Sequence, residues 1–307
     1  MVSFMLALKQ MLIYLDQNKW IALARMLYGK DKSQLSETIV KNTLKAVEDG
    51  RIIIVLSAIH YIETARISNS DRRKRLGKVM WKYSKGKTLA SYKKIVIHEL
   101  ETALTEFFKM KNKTPFQLVG YGVSHAFGEP LNTTLPKFIE EIFEESMLTG
   151  ERPNGEVMLG FHQTKYCENF KNHLEKLPSI REELPRNKWD DCLYAICTTD
   201  IIEPLKGIML SESISPEQFG ALGPENLRKL VDLMPTRQMD LFLHKQVLQN
   251  PSLKPKITDL EDWVGLGVAT QYCDLVICEK HFQSMTSRKG YKGKARVTKD
   301  IEVLTEI

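Results

Sequence analysis

The chain has no apolar run of about 18 residues, the length a membrane helix needs, so no membrane span is expected. It has no internal repeat and no low-complexity tract. Cysteine is scarce and odd in number: five, at 167, 192, 197, 273 and 278, with no C-x-x-C pair. Cys192 with Cys197, and Cys273 with Cys278, do not have a usual zinc-ligand spacing. Free thiols in a reducing cytoplasm are the better reading. No glycine-rich loop is available to cradle a phosphate, since "YLDQNKW" has no glycine. There is no G-x-S-x-G elbow, and no histidine has H-E-x-x-H spacing. The start, "MVSFMLALKQMLIYLD", is apolar but carries Lys9 and lacks a small-residue cleavage site. It reads as a lead-in to a first strand rather than a signal peptide.

What is present is enough for a core. The 307 residues are 43% hydrophobic, which allows one large domain or two modest ones. The net charge of +6 is modest but uneven. Arg66 to Lys94 holds eleven Lys or Arg and one acid, Asp71. Arg288 to Lys299 holds six basic residues and no acid. Such runs are commonly solvated helix faces or tails. They also suit a phosphate backbone, and Trp81, Tyr83 and Tyr92 in the first run, with Tyr291 in the second, could stack on unpaired bases.

The two ends of the chain alternate strand and helix. A strand is expected at 11–15, then helices at 19–28 and 35–48, the second stopped by Gly50. "RIIIVL", 51–56, is the continuous β-branched run of a strand buried on both faces. Ser57 stands at an N-cap position before the helix "AIHYIETARI". At the far end, "DLEDWVGLGVATQYC" reads as a helix, "DLVIC" as a strand, "EKHF" as a turn or short helix and "ARVT" as a last strand. Between them, 72–112 reads as basic helix and "KNKTPFQLVGYGVSHAFGEPLNTTLP" as loop. "KFIEEIFEESML", "RNKWDDCLYAICTTDII", "GPENLRKLVDLMP" and "RQMDLFLHKQVLQNP" read as helices. Neither end has enough strands for a stable sheet alone. The expected fold is therefore α/β, a parallel sheet flanked by helices and built from 11–110 and 251–307, with a mostly helical insertion at 111–250.

Ligands of open parallel sheets bind beyond the carboxyl ends of the strands, and acids recur there. Asp16 follows the first strand. Glu63 lies about two turns into the helix after "RIIIVL". Asp259 and Asp262 open the late helix on a shared face. Glu279 follows "DLVIC", and Asp274, which precedes its apolar part, is carried with Asp16, Glu63, Asp259, Asp262 and Glu279 as a candidate metal ligand, although starting the strand favours the other side of the sheet. Each has an ordinary explanation: a cap for Asp16 and Asp259, an i,i+3 partner of Arg66 for Glu63, a turn residue for Glu279. His60, three residues before Glu63, reads as a satisfied helix histidine, and His281 as a neighbour of Glu279. Converging carboxylates would repel and resist desolvation, and a divalent cation removes that cost. Oxygen-only ligation points to Mg²⁺ or Mn²⁺. A haloacid-dehalogenase-like phosphatase also starts with strand and Asp, but needs a second Asp where Asn18 stands.

Strand–Asp, apolar strand before a helix bearing Glu, helix opening with Asp, and strand–acid near Phe together resemble the PIN-domain nucleases. "TDLEDWVGLGVATQYCDLVICEKHF" is the most specific part, and resembles the larger members with a helical insertion. "MPTRQ", leading on through "NPSLKP", is more weakly similar. The resemblance covers about 11–70 and 255–307. It implies a PIN-like fold in which Asp16, Glu63, Asp262 with Asp259, and Glu279 hold one or two Mg²⁺ or Mn²⁺ ions. Glu279 stands where the family often has Asp.

The activity implied is a metal-dependent endoribonuclease, leaving a 5′-phosphate and a 3′-hydroxyl. A toxin, phage-defence effector or RNA-processing enzyme would fit the family. Single-stranded or tRNA-like RNA is the expected substrate, held by the basic runs in a salt-sensitive way. The insertion would select the RNA or a partner or inhibitor protein, or join copies of the chain. Two alternatives stand beside it: a non-catalytic PIN-like RNA-binding or regulatory module, and a nuclease for structured DNA.

Overall fold

The structure is a computed structural model that describes residues 10–111, 113–129, 136–151, 164–250 and 253–307. The lead-in before residue 10, and positions 251–252 of "NPSLKP", lie outside the described residues.

The first strand, β1 (Met11–Leu15), runs directly into α1 (Gln17–Leu27) and α2 (Gln34–Glu48). Next come β2 (Ile52–Val55), α3 (Ala58–Ala65) and α4 (Ser70–Ser84). A short antiparallel pair, β3 (Lys87–Leu89) with β4 (Val119–Tyr121), flanks α5 (Tyr92–Leu104). Helices α6 (Gly122–Phe127), α7 (Lys137–Thr149), α8 (Thr164–Glu183), α9 (Trp189–Cys197) and α10 (Ile202–Glu212) follow. They lead to α11 (Pro216–Gly220), α12 (Gly223–Asp232) and α13 (Pro235–Gln249). The chain returns to the sheet through α14 (Asp259–Tyr272), β5 (Leu275–Ile277), α15 (Lys280–Thr286) and β6 (Arg296–Thr298).

The main sheet has four parallel strands in the order β2-β1-β5-β6, so two come from each end of the chain. This is the α/β arrangement expected from the alternating pattern. Both faces are covered, as the continuous apolar strands require. Ile13 and Leu15 pack with Ile52, Ile54 and Ile277 under α1, α2 and α4. Leu12, Tyr14, Val55 and Val276 pack on the other face under α13 and α14. Gly265 lets α14 approach that face, because a Cβ there would lie 2.7 Å from the Tyr14 hydroxyl.

Two expectations for the middle need correction. Strand β3 interrupts the stretch read as basic helix, and it continues the sheet edge: Leu56 N–H donates to Lys87 O and Leu89 N–H to Leu56 O. The stretch read as loop contains β4 and α6. Helix α7 packs on α4, where a Cβ at Gly77 would lie 2.6 Å from the Leu148 backbone. Glu144 of α7 accepts from Val123 N–H of α6 at 2.7 Å. The later helices form their own cluster with α5, around Leu100, Leu104, Ile208, Leu230 and Met234.

Among the described residues no helix is long and apolar enough to cross a membrane. All five cysteines are free thiols.

Candidate acidic site

The carboxyl ends of β1 and β5 are drawn together by the sheet itself. Asp16 N–H donates to Ile277 O at 2.9 Å, one step beyond the last residue of β1. The chain then turns at once into α1, and Asp16 accepts at its carbonyl from Lys19 and Trp20 N–H. One carboxylate oxygen, Oδ1, accepts from Gln17 N–H at 2.8 Å. Asp16 is thus the N-cap of α1, as a lone Asp there would be. The cap uses only one oxygen.

A histidine fixes the neighbouring strand end. His60 Nε2–H donates to Leu15 O at 2.7 Å, and its Nδ1 accepts from Ser57 N–H at 2.9 Å. The ring joins the end of β1 to the start of α3 and so sets Asp16 relative to Glu63. Burial lowers its pKa to about 4, against the carbonyl bond that raises it, so the ring is neutral. This is the satisfied helix histidine expected from sequence.

Glu63 is not in the surface pair with Arg66 that stood as its ordinary explanation. Arg66 does not turn to it. Its guanidinium forks onto Glu261 instead, with Nη1 donating to Oε2 at 2.6 Å and Nη2 paired with Oε1. Glu63 has no hydrogen bond or ion pair among the described residues. Burial pushes its carboxyl up to about 8, and Asp16, Asp262 and Glu261 add to the rise while Arg66 opposes it.

Helix α14 brings the remaining acids. Asp262 makes no side-chain hydrogen bond among the described residues. Its pKa rises to about 7, first through burial and then through Asp16, Asp259 and Glu279. Asp259 is not the cap expected of it: Thr258 holds the N-cap position of α14, and Asp259 Oδ2 accepts from Lys256 N–H ahead of the helix at 2.7 Å, while burial raises its pKa. Asp16 rises to about 6, mainly through burial, with Glu279 adding to it. Glu279 is exposed at the N-cap of α15, and its Oε1 accepts from Asn18 Nδ2.

These groups line one cleft of about 170 Å³, holding Asp16, Glu63, Asp259, Asp262 and Glu279 with Asn18, Lys256 and His281 at the rim. Trp263, Leu266 and Met285 form its apolar wall. Five of the six acids singled out in the sequence therefore meet. Asp274 does not. It precedes β5, at the opposite end of the strand, where Oδ2 accepts from Leu12 N–H at 2.9 Å and Oδ1 pairs with Lys294 at 3.0 Å. The polarity of a parallel strand puts its first and last residues on opposite edges, so Asp274 drops out of the ligand set.

Two contributors were not legible in the sequence. Glu261 sits inside "DLEDW" but turns away from the Asp259–Asp262 face, and its partner Arg66 is far away in sequence. Asn18, which the sequence marks only as the lack of a second Asp, donates to Glu279. The structure also brings Cys197, Asp240 and His244 together, the one trio of potential ligand atoms within 4.8 Å of one another among the described residues. The i,i+4 spacing of Asp240 and His244 on α13 was its only sequence signal. The carboxylates of the acidic cleft stand wider apart than that trio.

No family model matches the chain, and no curated protein or solved structure is significantly similar to it.

Proposed function

We propose that the chain is a PIN-like, metal-dependent endoribonuclease whose centre is the acidic cleft. One observation carries the reading. Carboxylates from four separate segments line a 170 Å³ cleft at the carboxyl edge of a parallel sheet, and neither Glu63 nor Asp262 has an ion pair among the described residues. Partly buried like charges are costly, and a fold that gathers them needs a cation to offset the repulsion.

The donor set fits a hard divalent ion, because every candidate ligand is an oxygen. Asp16, Glu63 and Asp262 would hold Mg²⁺ or Mn²⁺, with Asp259 and Glu279 at the edge. Bound there, the ion supplies an activated water and charge stabilisation for in-line displacement at phosphorus. The chain's own residues do the rest. Asp16 keeps Oδ1 on the α1 backbone and leaves Oδ2 for the cleft. Asn18 orients Glu279. The wall of Trp263, Leu266 and Met285 limits solvent, which strengthens the field of the carboxylates. Lys256 and His281 stand where they can meet a phosphate oxygen. Free thiols in all five cysteine positions fit a cytoplasmic setting.

The test is cleavage of total RNA and of tRNA by purified protein with Mn²⁺, with EDTA, and by Asp16→Asn. The expected products carry a 5′-phosphate and a 3′-hydroxyl, and appear only with metal and Asp16. Full activity of Asp16→Asn in Mg²⁺ would refute the mechanism. A second reading, a PIN-like RNA-binding or regulatory module without catalysis, is favoured by Glu279, which is exposed and already engaged by Asn18. Equal RNA binding in EDTA and Mn²⁺ without any cutting would select it. Competition between RNA and DNA substrates separates a nuclease for structured DNA.

A further inference from the structure

The basic run from Arg66 to Lys94 does not act as one surface. Arg66 is committed to Glu261, and Lys74 pairs with Glu151 at 2.6 Å. Arg73 is buried, with Nη2 donating to Met147 O. The aromatic rings expected to stack on bases are structural. Tyr83 is fully buried, with its hydroxyl donating to Val40 O. Trp81 packs edge-on against Tyr121, and Tyr92 lies under the Arg237 guanidinium at 5.4 Å. Half of the second run is engaged as well, while Lys289, Lys292 and Arg296 stay exposed. Arg288 donates to Gln246, Lys294 pairs with Asp274 and Lys299 with Asp300.

Lys78, Lys82, Lys85, Lys87, Lys93 and Lys94 of the first run stay exposed with no ion pair among the described residues, and so do Arg72 and Arg75, which meet cations of another segment in one cleft. Between α1 and α4 lies a cleft of about 510 Å³, lined by Arg25, Tyr28, Lys30, Arg72 and Arg75 over a floor that includes Leu76. All four cations are exposed, and none has an ion-pair partner among the described residues. No acid lines the cleft. The acids nearest in sequence are Asp31, whose Oδ1 accepts from Ser33 N–H, and the exposed Asp71. Hydrogen bonds from serines lower the Asp31 pKa, and the Arg25 charge lies close enough to help without forming an ion pair. Tyr28 is 43% exposed, an aromatic ring in solvent beside four cations. Two of the four cations, and the ring, come from a segment that charge counting along the sequence passed over.

The cleft and the acidic site share a helix. Helix α1 is capped by Asp16 at its start and carries Arg25 in its last turn. At 1.5 Å per residue the two lie about 14 Å apart along the axis. Helix α4, which carries Arg72 and Arg75, begins at Ser70, a short connection after the helix that holds Glu63. A polyanion seated on the cations would therefore have the carboxylate cluster one helix-length away.

We propose that the α1–α4 cleft binds the backbone of single-stranded RNA and leads it to the acidic site, with Tyr28 stacking on a base. Cations without partners, an open groove and one exposed ring are what a single strand requires, since its phosphates and base faces are both accessible. The leading role rests on the nuclease reading. The binding role does not.

The experiment measures binding of a 12-nucleotide single-stranded RNA by fluorescence anisotropy, in EDTA, across a salt series. The variants are Arg25→Ala/Arg72→Ala/Arg75→Ala, Tyr28→Ala, and a control of equal charge, Lys137→Ala/Lys188→Ala/Lys206→Ala, whose lysines are exposed elsewhere. The cleft triple should weaken binding at least tenfold. It should also flatten the dependence of log K on log salt by about 2, from roughly 0.7 per lost contact on a single strand. Tyr28→Ala should cost about fivefold or more, the lower end of a stacking contact. The control should stay within twofold. A control loss equal to that of the cleft triple, unchanged binding by the cleft triple, or tighter binding of an RNA duplex would each overturn the proposal. Because no metal is present, a protein that binds through the cleft yet never cuts RNA in Mn²⁺ refutes only the nuclease reading.

Discussion

Replacing Glu63 with Gln should stabilise the metal-free protein, by more as the pH rises from about 4.5 to about 8. Glu63 is ordinarily a group of pKa 4.5 and here is pushed up to about 8, by burial first and by Asp16 and Asp262 next. Its folded state therefore holds the proton more tightly than its unfolded state. The sign follows from linkage: stability is full below about 4.5 and is lost as pH rises through about 8. A tenfold change in proton affinity is worth about 1.4 kcal/mol, so the cost of ionising Glu63 is capped at about 5 kcal/mol. The three coupled carboxylates share that cost, and water in the open cleft relaxes it. A gain of about 1–2 kcal/mol for Glu63→Gln at pH 8.5 is the reasonable magnitude, or about 2–4 °C in Tm. At pH 5.5 Glu63 is protonated in the folded state but largely ionised in the unfolded one, so the gain should be smaller than at pH 8.5, and it should vanish only below about pH 4.5. Thermal unfolding of wild type and variant in EDTA at the two pH values reads this directly. The difference between the two proteins cancels other titrations, such as that of His60. The same variant should lose RNA cleavage in Mn²⁺. A Glu63→Gln protein that is less stable at pH 8.5, or equally shifted at both pH values, would show that the carboxylates do not form a repulsive set.

Other outcomes follow from the same geometry. Arg66→Ala leaves Glu261 buried without its guanidinium and should destabilise by about 2–4 kcal/mol, at or below the usual cost of breaking a buried pair; chemical denaturation measures it, and a loss under 0.5 kcal/mol would argue that the pair is idle. His60→Ala removes the link between Leu15 O and Ser57 N–H and should cost about 3 kcal/mol, with cleavage falling in protein that is still folded at 20 °C. Mn²⁺ affinity by calorimetry should rise from pH 6 to pH 8.5, because Asp262 and Glu63 reach their anionic forms only above about 7 and 8; affinity flat across that range would exclude them as ligands.

Much of the site was readable because its logic is local. A strand that ends in an acid and turns into a helix needs no distant partner to put that acid at the sheet edge, and Asp16 lies there. The β-branched run 51–56 could only be a strand buried on both faces, which placed α3 and Glu63 beyond its end. The i,i+3 spacing of Asp259 and Asp262 put both on one face of α14. Strand polarity also argued against Asp274, and it sits at the far end. The acids were therefore legible one by one, each with a cap or surface role as its rival explanation.

Pairing was not legible. Local spacing offered Glu63 to Arg66, but tertiary packing gives Arg66 to Glu261 and leaves Glu63 without a partner. Spacing likewise offered Trp81 and Tyr83 to solvent, where helix packing buries or covers them and exposes Tyr28 instead. Strands β3 and β4 were missed because three-residue strands carry too little periodicity to outweigh their neighbours. The sequence by itself determined the parallel α/β class and which acids stand at strand ends, since both follow from short-range chain geometry. Only the tertiary structure decided which charges neutralise one another and which remain free. Those outcomes depend on distances between segments up to 195 residues apart, and no local pattern encodes them.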